Sequence, residues 1–446
     1  MASRVAAAVA NFVRSAFSPL CAAILLVGLL QPLYFAALGS IHLIAPRAAI
    51  ERHVRQAFEQ GVLGVDGRPA SLLFRGGEQL TECISLGIGL DPNETPWQTA
   101  ISGSNPSDGY SCHALYDAVT GQPVGWASYS RYWHGYRILL APLTAAMPYW
   151  LVKAVLGLAL AGASALLWRA LRDRSDSAVA TVFLLTIVCL TDLLYVWRTA
   201  THTISLIFIF AGTWLWSRLL RQNWKLFPLV LVGAVFGSLF NFIDFLVNPP
   251  MMPMLLMFFA LLGTQKQTRT LPLLVVLAWF LGYAETWVAK WIIASMFSSH
   301  PGAVAASIFD EARFRVSGSL PGVVMFPLYA TGKAFLRVFE FPGAVVPATF
   351  LISIVHYGAT VSRIDLRKAA WLSSPVLVSV LWFEALSSHT QWHITPSSRS
   401  AAVAVGLILS ALLLAMAKRP TMADLRAHLK SAVLLCWSKP QADAAQ

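Results

Sequence analysis

Long apolar runs, separated by short charged clusters, alternate along most of the chain. A bilayer core requires about 20 apolar residues per helix, and about ten windows of that length can be marked off between the charged clusters. The windows are 19–44, 147–168, 176–197, 201–217, 226–246, 249–264, 270–295, 341–361, 369–387 and 399–417. The pattern predicts an all-α polytopic transmembrane bundle of about ten spans, in which residues 1–446 form a single integral-membrane domain.

Two long polar segments interrupt this pattern, at 45–135 and 296–340. If the N-terminus is cytoplasmic, every short loop on the inner side carries lysine or arginine, as the positive-inside rule requires. This topology places both long segments outside and the C-terminus inside. The basic tail at 420–446 is then expected on the inner membrane surface.

Composition supports a membrane protein and excludes a soluble globular domain. Hydrophobic residues make up 57% of the chain and charged residues only 12%, with a mean hydropathy of +0.63. Soluble domains carry about 25% charged residues. The net charge of +12 is attributed to cytoplasmic loops, so no nucleic-acid partner is expected.

The first polar segment contains two recognisable features. Residues 47–61 place Ile50, Val54 and Phe58 at helical spacing, with charged residues on the opposite face, which predicts an amphipathic helix. Farther along, Cys83 and Cys112 both lie in this segment. A disulfide between them is expected if the segment faces an oxidising compartment.

Candidate chemistry begins at SRYWHGYR, residues 130–137, where Arg131, Trp133 and His134 precede an apolar run. Such a cluster is costly to place in lipid and should lie at the water edge of the membrane. Other ionisable or aromatic residues fall at the same edge in the predicted topology, and together they suggest one site. They are Asp192, Arg198, Asp244, Glu285, Lys290, Glu384, His389, Trp392, His393 and Arg399.

Several of these residues also have structural interpretations. Glu285 and Lys290 are five residues apart and could form an ion pair within one helix. His389 and His393, four apart, could bind a metal, although no carboxylate follows at a matching spacing. The tryptophans, taken singly, are typical of an interfacial belt.

Taken together, the residues suit a lipid-linked phosphosugar as substrate. Arg131, Lys290 or Arg399 would hold its phosphate, because arginine offers a bidentate fork and lysine a point charge. A carboxylate would take the proton from the acceptor hydroxyl. The aromatic side chains would stack on the sugar or on the prenyl chain.

The sequence resembles the GT-C superfamily of integral-membrane glycosyltransferases. The similarity lies in the order of one N-terminal span, a long first outer loop, many spans and polar groups on the outer face. More narrowly, it is similar to little-characterised bacterial membrane proteins near that superfamily and to the bacterial type IV pilin arabinofuranosyltransferases. The stretches that carry this likeness are RYWHGYRILLAPL, FIDFLVNPP, GYAETWVAKWIIAS, and HTQWH with Arg399.

This resemblance implies a bacterial inner-membrane enzyme that moves a sugar, such as a pentofuranose, from a polyprenyl-phosphate donor to a periplasmic protein or glycan. In that superfamily an acid of the first outer loop serves as base or organises the site. Glu82 is preferred because a disulfide at Cys83 would fix it, Glu51 is the runner-up, and Asp244 is a further candidate. The acidic DxD-type signature is absent from the loop, so no metal site is assigned.

Two other classes of function remain open. A transporter or flippase could use Asp244, Glu285 and Lys290 as an ion or substrate relay. A ligase or acyltransferase could use His134 as its base.

Overall fold

The computed structural model describes residues 2–75, 78–107, 111–263, 270–298, 301–317, 322–340, 363–417 and 423. In this part of the chain the architecture is a bundle of helices, six of which are long and apolar enough to cross a membrane. These six are α1 (Ala2–Gly39), α7 (Tyr149–Arg174), α9 (Ala200–Arg221), α10 (Leu226–Ile243), α12 (Leu271–Phe297) and α18 (Ile394–Ala415). The prediction of an all-α, multi-pass membrane bundle is confirmed at this level.

Three predicted spans correspond to shorter helices. They are α8 (Ser177–Leu190), α11 (Met251–Gly263) and the pair α15 (Leu366–Ser373) and α16 (Val376–Ala385). At 1.5 Å per residue, the 13 residues of α11 extend about 20 Å, less than the bilayer core. The predicted span at 341–361 and most of the tail at 420–446 lie outside the described residues.

The short helix α11 lies inside the bundle. Met252, Leu255 and Phe258 are fully buried among the neighbouring helices. Because other helices surround it, α11 does not need to match the bilayer thickness. The hydrophobic pattern alone could not separate this buried helix from a span that faces lipid.

Close packing of α10 on α12 forms the centre of the bundle. A Cβ at Gly237 would lie 1.9 Å from the Trp279 carbonyl oxygen, and one at Gly282 would lie 2.1 Å from that of Ala234. Only glycine permits the two backbones to approach this closely, as in other small-residue helix crossings in membranes. This crossing fixes the position of Thr286 and Lys290 farther along α12.

The first polar segment folds into short helices at one end of the bundle, which we call the loop end. They are α2 (Arg47–Glu59), α3 (Gln79–Gly87), α4 (Pro96–Ser102) and α5 (Ser111–Thr120), followed after the segment by α6 (Arg137–Ala146). A two-residue strand pair, β1 (Asn105–Pro106) and β2 (Trp126–Ala127), runs antiparallel. The amphipathic helix expected at 47–61 is α2.

Two features hold this segment together. The apolar face of α2 is buried, with Ile50, Val54 and Phe58 in the core of the loop end. A disulfide joins Cys83 of α3 to Cys112 of α5. The pairing expected from the sequence is therefore present.

The second polar segment contributes α13 (Pro301–Ser317) and α14 (Tyr329–Val338). A six-residue helix, α17 (Ser387–Trp392), precedes α18. Glu384, at the end of α16, accepts hydrogen bonds from the backbone N–H groups of Leu328 and Thr331, at 2.9 and 3.0 Å, where α14 begins. These contacts tie the second segment to the bundle.

Candidate functional site

A cavity of about 150 Å³ lies at the loop end, where parts of the chain that are distant in sequence meet. Its wall combines aliphatic side chains with aromatic rings and imidazoles and includes Glu78, Tyr129, Tyr132, His202, Phe245, His389 and His393. The first polar segment, the starts of α9 and α18, and the turn after α10 all contribute. Of the site residues predicted from the sequence, His389 and His393 line this cavity.

His389 and His393 lie side by side, with ring centroids 4.7 Å apart. The His389 Nε2 atom is 3.1 Å from the Leu246 carbonyl oxygen. Burial, with the positive charge of Arg315, lowers the pKa of His389 well below its ordinary value and that of His393 to about 4. Both rings are therefore neutral at pH 7, and a neutral imidazole has one nitrogen that can accept a hydrogen bond.

Among the described residues, no group of three or more histidine, cysteine, aspartate or glutamate side chains is arranged to hold a metal ion. Both imidazoles are polar groups of the cavity wall.

Two arginines lie directly behind the tyrosines of the cavity wall. The Arg131 guanidinium stacks over the Tyr129 ring at 4.4 Å, and Arg315 Nη2 donates to the Tyr132 hydroxyl at 2.6 Å. Both arginines pair with one carboxylate, Glu311, at 3.0 and 2.7 Å. One carboxylate thus neutralises only one of the two guanidinium charges. The group formed by Arg131, Arg315 and Glu311, which we call the arginine pair with Glu311, therefore has a net charge of +1.

The arginine pair also has unused hydrogen-bond donors. Arg131 Nε and Arg315 Nη1 are buried and have no hydrogen-bond partner among the described residues. A buried guanidinium N–H without an acceptor is costly, and a phosphate or carboxylate of a ligand is the group that satisfies it best. Of Arg131, Arg315 and Glu311, the sequence analysis selected only Arg131.

Trp133 and His134 hold the wall in place from behind the cavity. Trp133 Nε1 donates to the Thr286 carbonyl oxygen at 2.8 Å, which fixes the segment to α12. The Nε2 atom of the buried His134 ring lies 2.8 Å from the Tyr129 carbonyl oxygen. The backbone of His134 has a φ of 60°, which turns the chain sharply at this position. Burial lowers the pKa of His134 well below its usual value, so this ring is neutral.

Lys290 is fully buried and bonded to α4. Its Nζ atom donates to the carbonyl oxygens of Ala100 and Ile101 at 2.7 and 2.8 Å. A cation at the C-terminal end of a helix is favourable to the helix dipole. Lys290 therefore forms no ion pair with Glu285, contrary to one interpretation of the sequence.

Glu285 faces α1 instead. A Cβ built on Gly28, in α1, would lie 3.5 Å from Glu285 Oε1. The Glu285 Oε2 atom has no hydrogen-bond partner among the described residues. Glu285 and Lys290 thus point to different neighbours, and neither lines the cavity.

Glu82 is buried among protein groups rather than exposed to the cavity. Its Oε1 atom lies 3.2 Å from Lys153 Nζ and accepts a hydrogen bond from the Tyr149 hydroxyl. Its Oε2 atom accepts from the Ala200 N–H, at the start of α9, at 2.8 Å. These contacts are those of a structural residue that joins α3, α7 and α9. Its proposed role as a base stays an untested prediction.

The other predicted residues lie outside the cavity wall. Asp244 accepts hydrogen bonds from Ser205 Oγ at 2.7 Å and the Val247 N–H at 2.8 Å, which shapes the turn after α10. Glu51 pairs with Arg47 on α2 at 2.6 Å. Trp392 is exposed beside the histidine pair.

Arg399 lies one layer behind the cavity. It holds Asp192 in a bidentate ion pair, at 2.7 and 2.6 Å, and its Nη1 atom is 3.2 Å from His202 Nδ1. His202 is a wall residue that the sequence did not single out. Its neighbour Arg399 therefore positions a cavity residue.

Glu78 is the acidic side chain of the cavity wall. Its two carboxylate oxygens lie 3.1 and 3.0 Å from the Thr81 N–H, which caps α3. Desolvation raises the pKa of Glu78 above its usual value, and the Thr81 hydrogen bonds oppose that shift. Sequence reasoning missed Glu78, because glutamate is not among the residues that prefer the N-cap position.

Comparison with known proteins finds no family model that matches the chain, and no curated protein or solved structure matches it.

Proposed function

We propose that the protein is a membrane glycosyltransferase that moves a sugar from a polyprenyl-phosphate donor to a protein or glycan acceptor. The observation that carries the proposal is the arginine pair with Glu311, whose surplus positive charge and two unpartnered N–H groups lie behind an aromatic cavity. A phosphate ester is an anion of the right kind for this group. Aromatic walls suit the faces of a sugar or a prenyl unit.

Glu78 is the carboxylate best placed to accept a proton in this reaction. The acceptor hydroxyl would attack the anomeric carbon as its proton moves to Glu78, and the bond from that carbon to the phosphate oxygen would break. The phosphate would leave as polyprenyl phosphate, with its negative charge held by Arg131 and Arg315. General-base catalysis requires a carboxylate within reach of the acceptor hydroxyl, and Glu78 lines the cavity.

An apolar groove between α7 and α8 suits the prenyl chain. It measures about 590 Å³, and its lining includes Leu160, Trp168 and Leu193. Asp192, next to Leu193, binds Arg399, which contacts His202 in the cavity wall. A lipid in the groove would therefore lie beside the segment that is linked, through Asp192 and Arg399, to the cavity residue His202.

We also propose that the loop end faces the periplasm of a bacterium, with both termini of the chain in the cytoplasm. The positive-inside pattern supports this orientation. The disulfide between Cys83 and Cys112 supports it as well, because disulfides persist in oxidising compartments.

Replacing Glu78 with glutamine tests the proposed chemistry. We expect sugar transfer from prenyl-phosphate donors to fall by about 100-fold or more, because general-base catalysis contributes about 10²–10⁴. Glutamine keeps an oxygen that can cap α3, so the thermal midpoint should change little. Radiolabelled prenyl-phosphate pentoses and hexoses, presented to the protein in lipid nanodiscs, provide the measurement.

Glu59→Gln, at the end of α2, is the matched control and should transfer sugar at the wild-type rate. Undiminished transfer by Glu78→Gln would exclude Glu78 as the base. If the wild-type protein transfers sugar from none of these donors, the proposed function is overturned.

Replacing Glu285 with glutamine tests the competing relay. A carboxyl group without a partner inside a bilayer is least costly when neutral, and glutamine is its uncharged isostere. We expect the free energy of unfolding to change by no more than about 0.5 kcal/mol and sugar transfer to be retained. Proton or substrate flux into proteoliposomes that disappears in Glu285→Gln would favour a transporter instead.

A further inference from the structure

A second cavity at the loop end, of about 710 Å³, lies across the segment 128–132 from the first. Ser128 and Ser130 line this second cavity, whereas Tyr129 and Tyr132 line the first. The segment is held to α4, because the Tyr129 N–H and the Ser128 hydroxyl both donate to the Ser102 carbonyl oxygen, at 2.9 and 3.1 Å. One short wall therefore separates two cavities.

The second cavity is lined by hydrogen-bonding groups of a particular kind. Its wall includes two carboxylates, two amides and several serine hydroxyls, together with the aromatic ring of Trp126. A volume of this size is typical of small-molecule sites, which range over about 300–1,000 Å³.

Glu94 supplies an unused acceptor in this cavity. Its Oε1 atom accepts hydrogen bonds from the hydroxyls of Ser102 and Ser104, at 2.5 and 2.6 Å. Its Oε2 atom is buried and has no hydrogen-bond partner among the described residues, and the same is true of Ser298 Oγ in the same wall. Leaving a buried polar atom unpaired costs about 1–3 kcal/mol, which a ligand hydroxyl at this place would offset.

The second cavity has an acidic lining, whereas the positive surplus of the arginine pair lies behind the tyrosines of the first. Among the described residues, the lining of the second contains Asp91 and Glu94 but no arginine, lysine or histidine. The nearby cation, Lys290, is committed to the carbonyl oxygens of α4. An anion such as a phosphate is therefore disfavoured here, in contrast to the cavity in front of the arginine pair.

From this geometry we infer that the second cavity is a binding site for a neutral saccharide. The hydroxyl groups of the saccharide would donate hydrogen bonds to Glu94 Oε2 and Asp91 and accept hydrogen bonds from Gln98 and the serines. The C–H face of the sugar ring would pack on Trp126. That this saccharide is the acceptor in a transfer reaction rests on the proposed function, whereas its binding does not.

Saturation-transfer-difference NMR tests the inference with the full chain in lipid nanodiscs, which contain no glycoside detergent. The probes are neutral mono- and disaccharides, added without a donor. We expect binding by the wild-type protein and at least a tenfold rise in Kd for both Glu94→Gln and Trp126→Ala. Glu59→Gln and Trp224→Ala, remote from the cavity, are the matched controls and should bind normally.

Three outcomes would overturn the inference. They are no saccharide signal above that of empty nanodiscs, saccharide binding unchanged in both cavity variants, or a site that takes Ca²⁺ or Mg²⁺ and excludes the saccharide. Asp91→Asn keeps the oxygen that accepts from the Asn93 N–H, and a weaker affinity in this variant supports the site even if Glu94→Gln fails to fold. Because no donor is present, this experiment measures saccharide binding alone. A negative result here would overturn the binding site but would leave the proposed sugar transfer to its own test.

Discussion

Replacing Glu82 with alanine is expected to lower the free energy of unfolding by about 3–5 kcal/mol, the typical cost of removing one partner of a buried ion pair. Lys153 would be left as a fully buried, uncompensated charge in α7. The Tyr149 hydroxyl and the Ala200 N–H would lose their acceptor at the same time. Thermal unfolding of the purified protein, followed by tryptophan fluorescence, measures the effect.

The double variant Glu82→Ala with Lys153→Met provides the control. It removes the buried charge together with its partner, so it should recover a large part of the lost stability. A single variant as stable as the wild type would contradict the structural role of Glu82. A stable Glu82→Gln variant that transfers no sugar would instead support the role of base predicted from the sequence.

Replacing Arg315 with glutamine is expected to weaken the binding of farnesyl phosphate by about 30-fold or more, since truncating one partner of a buried charge pair costs about 2–5 kcal/mol. Arg315 is 4% exposed and has an unpartnered N–H group for the phosphate. Microscale thermophoresis in nanodiscs measures the affinity, with farnesol as the uncharged probe. Farnesol binding should not change, because it has no phosphate.

Arg313→Gln, on the exposed face of the same helix, is the matched control. It removes the same charge from α13 and leaves Arg131, Arg315 and Glu311 in the chain, so its affinity for farnesyl phosphate should match that of the wild type. Equal losses in the two variants would indicate a general charge effect. Equal losses for farnesol and farnesyl phosphate would show that Arg315 acts on packing alone.

The helical class could be predicted from the sequence, because hydropathy acts on whole segments. Helix length could not. α11 has the apolar composition of a span, yet it is only 13 residues long and is enclosed by other helices. Whether an apolar helix faces lipid or protein depends on tertiary contacts that periodicity does not contain.

The site was only partly predictable for a related reason. His389 and His393 could be selected because they lie between two apolar windows, and both line the cavity. The sequence does not show that Glu82 is a buried ion-pair partner whereas Glu78 lines the cavity. The difference comes from Lys153, the single charged residue of the window 147–168, which binds Glu82 across the fold. The orientation of a side chain on a short loop helix depends on such partners.

The charge surplus of the arginine pair could not be predicted either. Arg131 and Arg315 belong to different polar segments, and their shared carboxylate is on α13. Sequence spacing places Glu311 and Arg315 on one helix face but does not bring Arg131 to them.

Cryo-electron microscopy of the full chain in nanodiscs with decaprenyl phosphate tests the anion site most directly. We expect phosphate density at the loop end, within about 4 Å of a guanidinium nitrogen of Arg131 or Arg315, the distance of an ion pair, and prenyl density in the groove between α7 and α8. Phosphate density at the opposite end of the bundle, near Arg218 or Arg221, with the tyrosine-lined cavity empty, would contradict it.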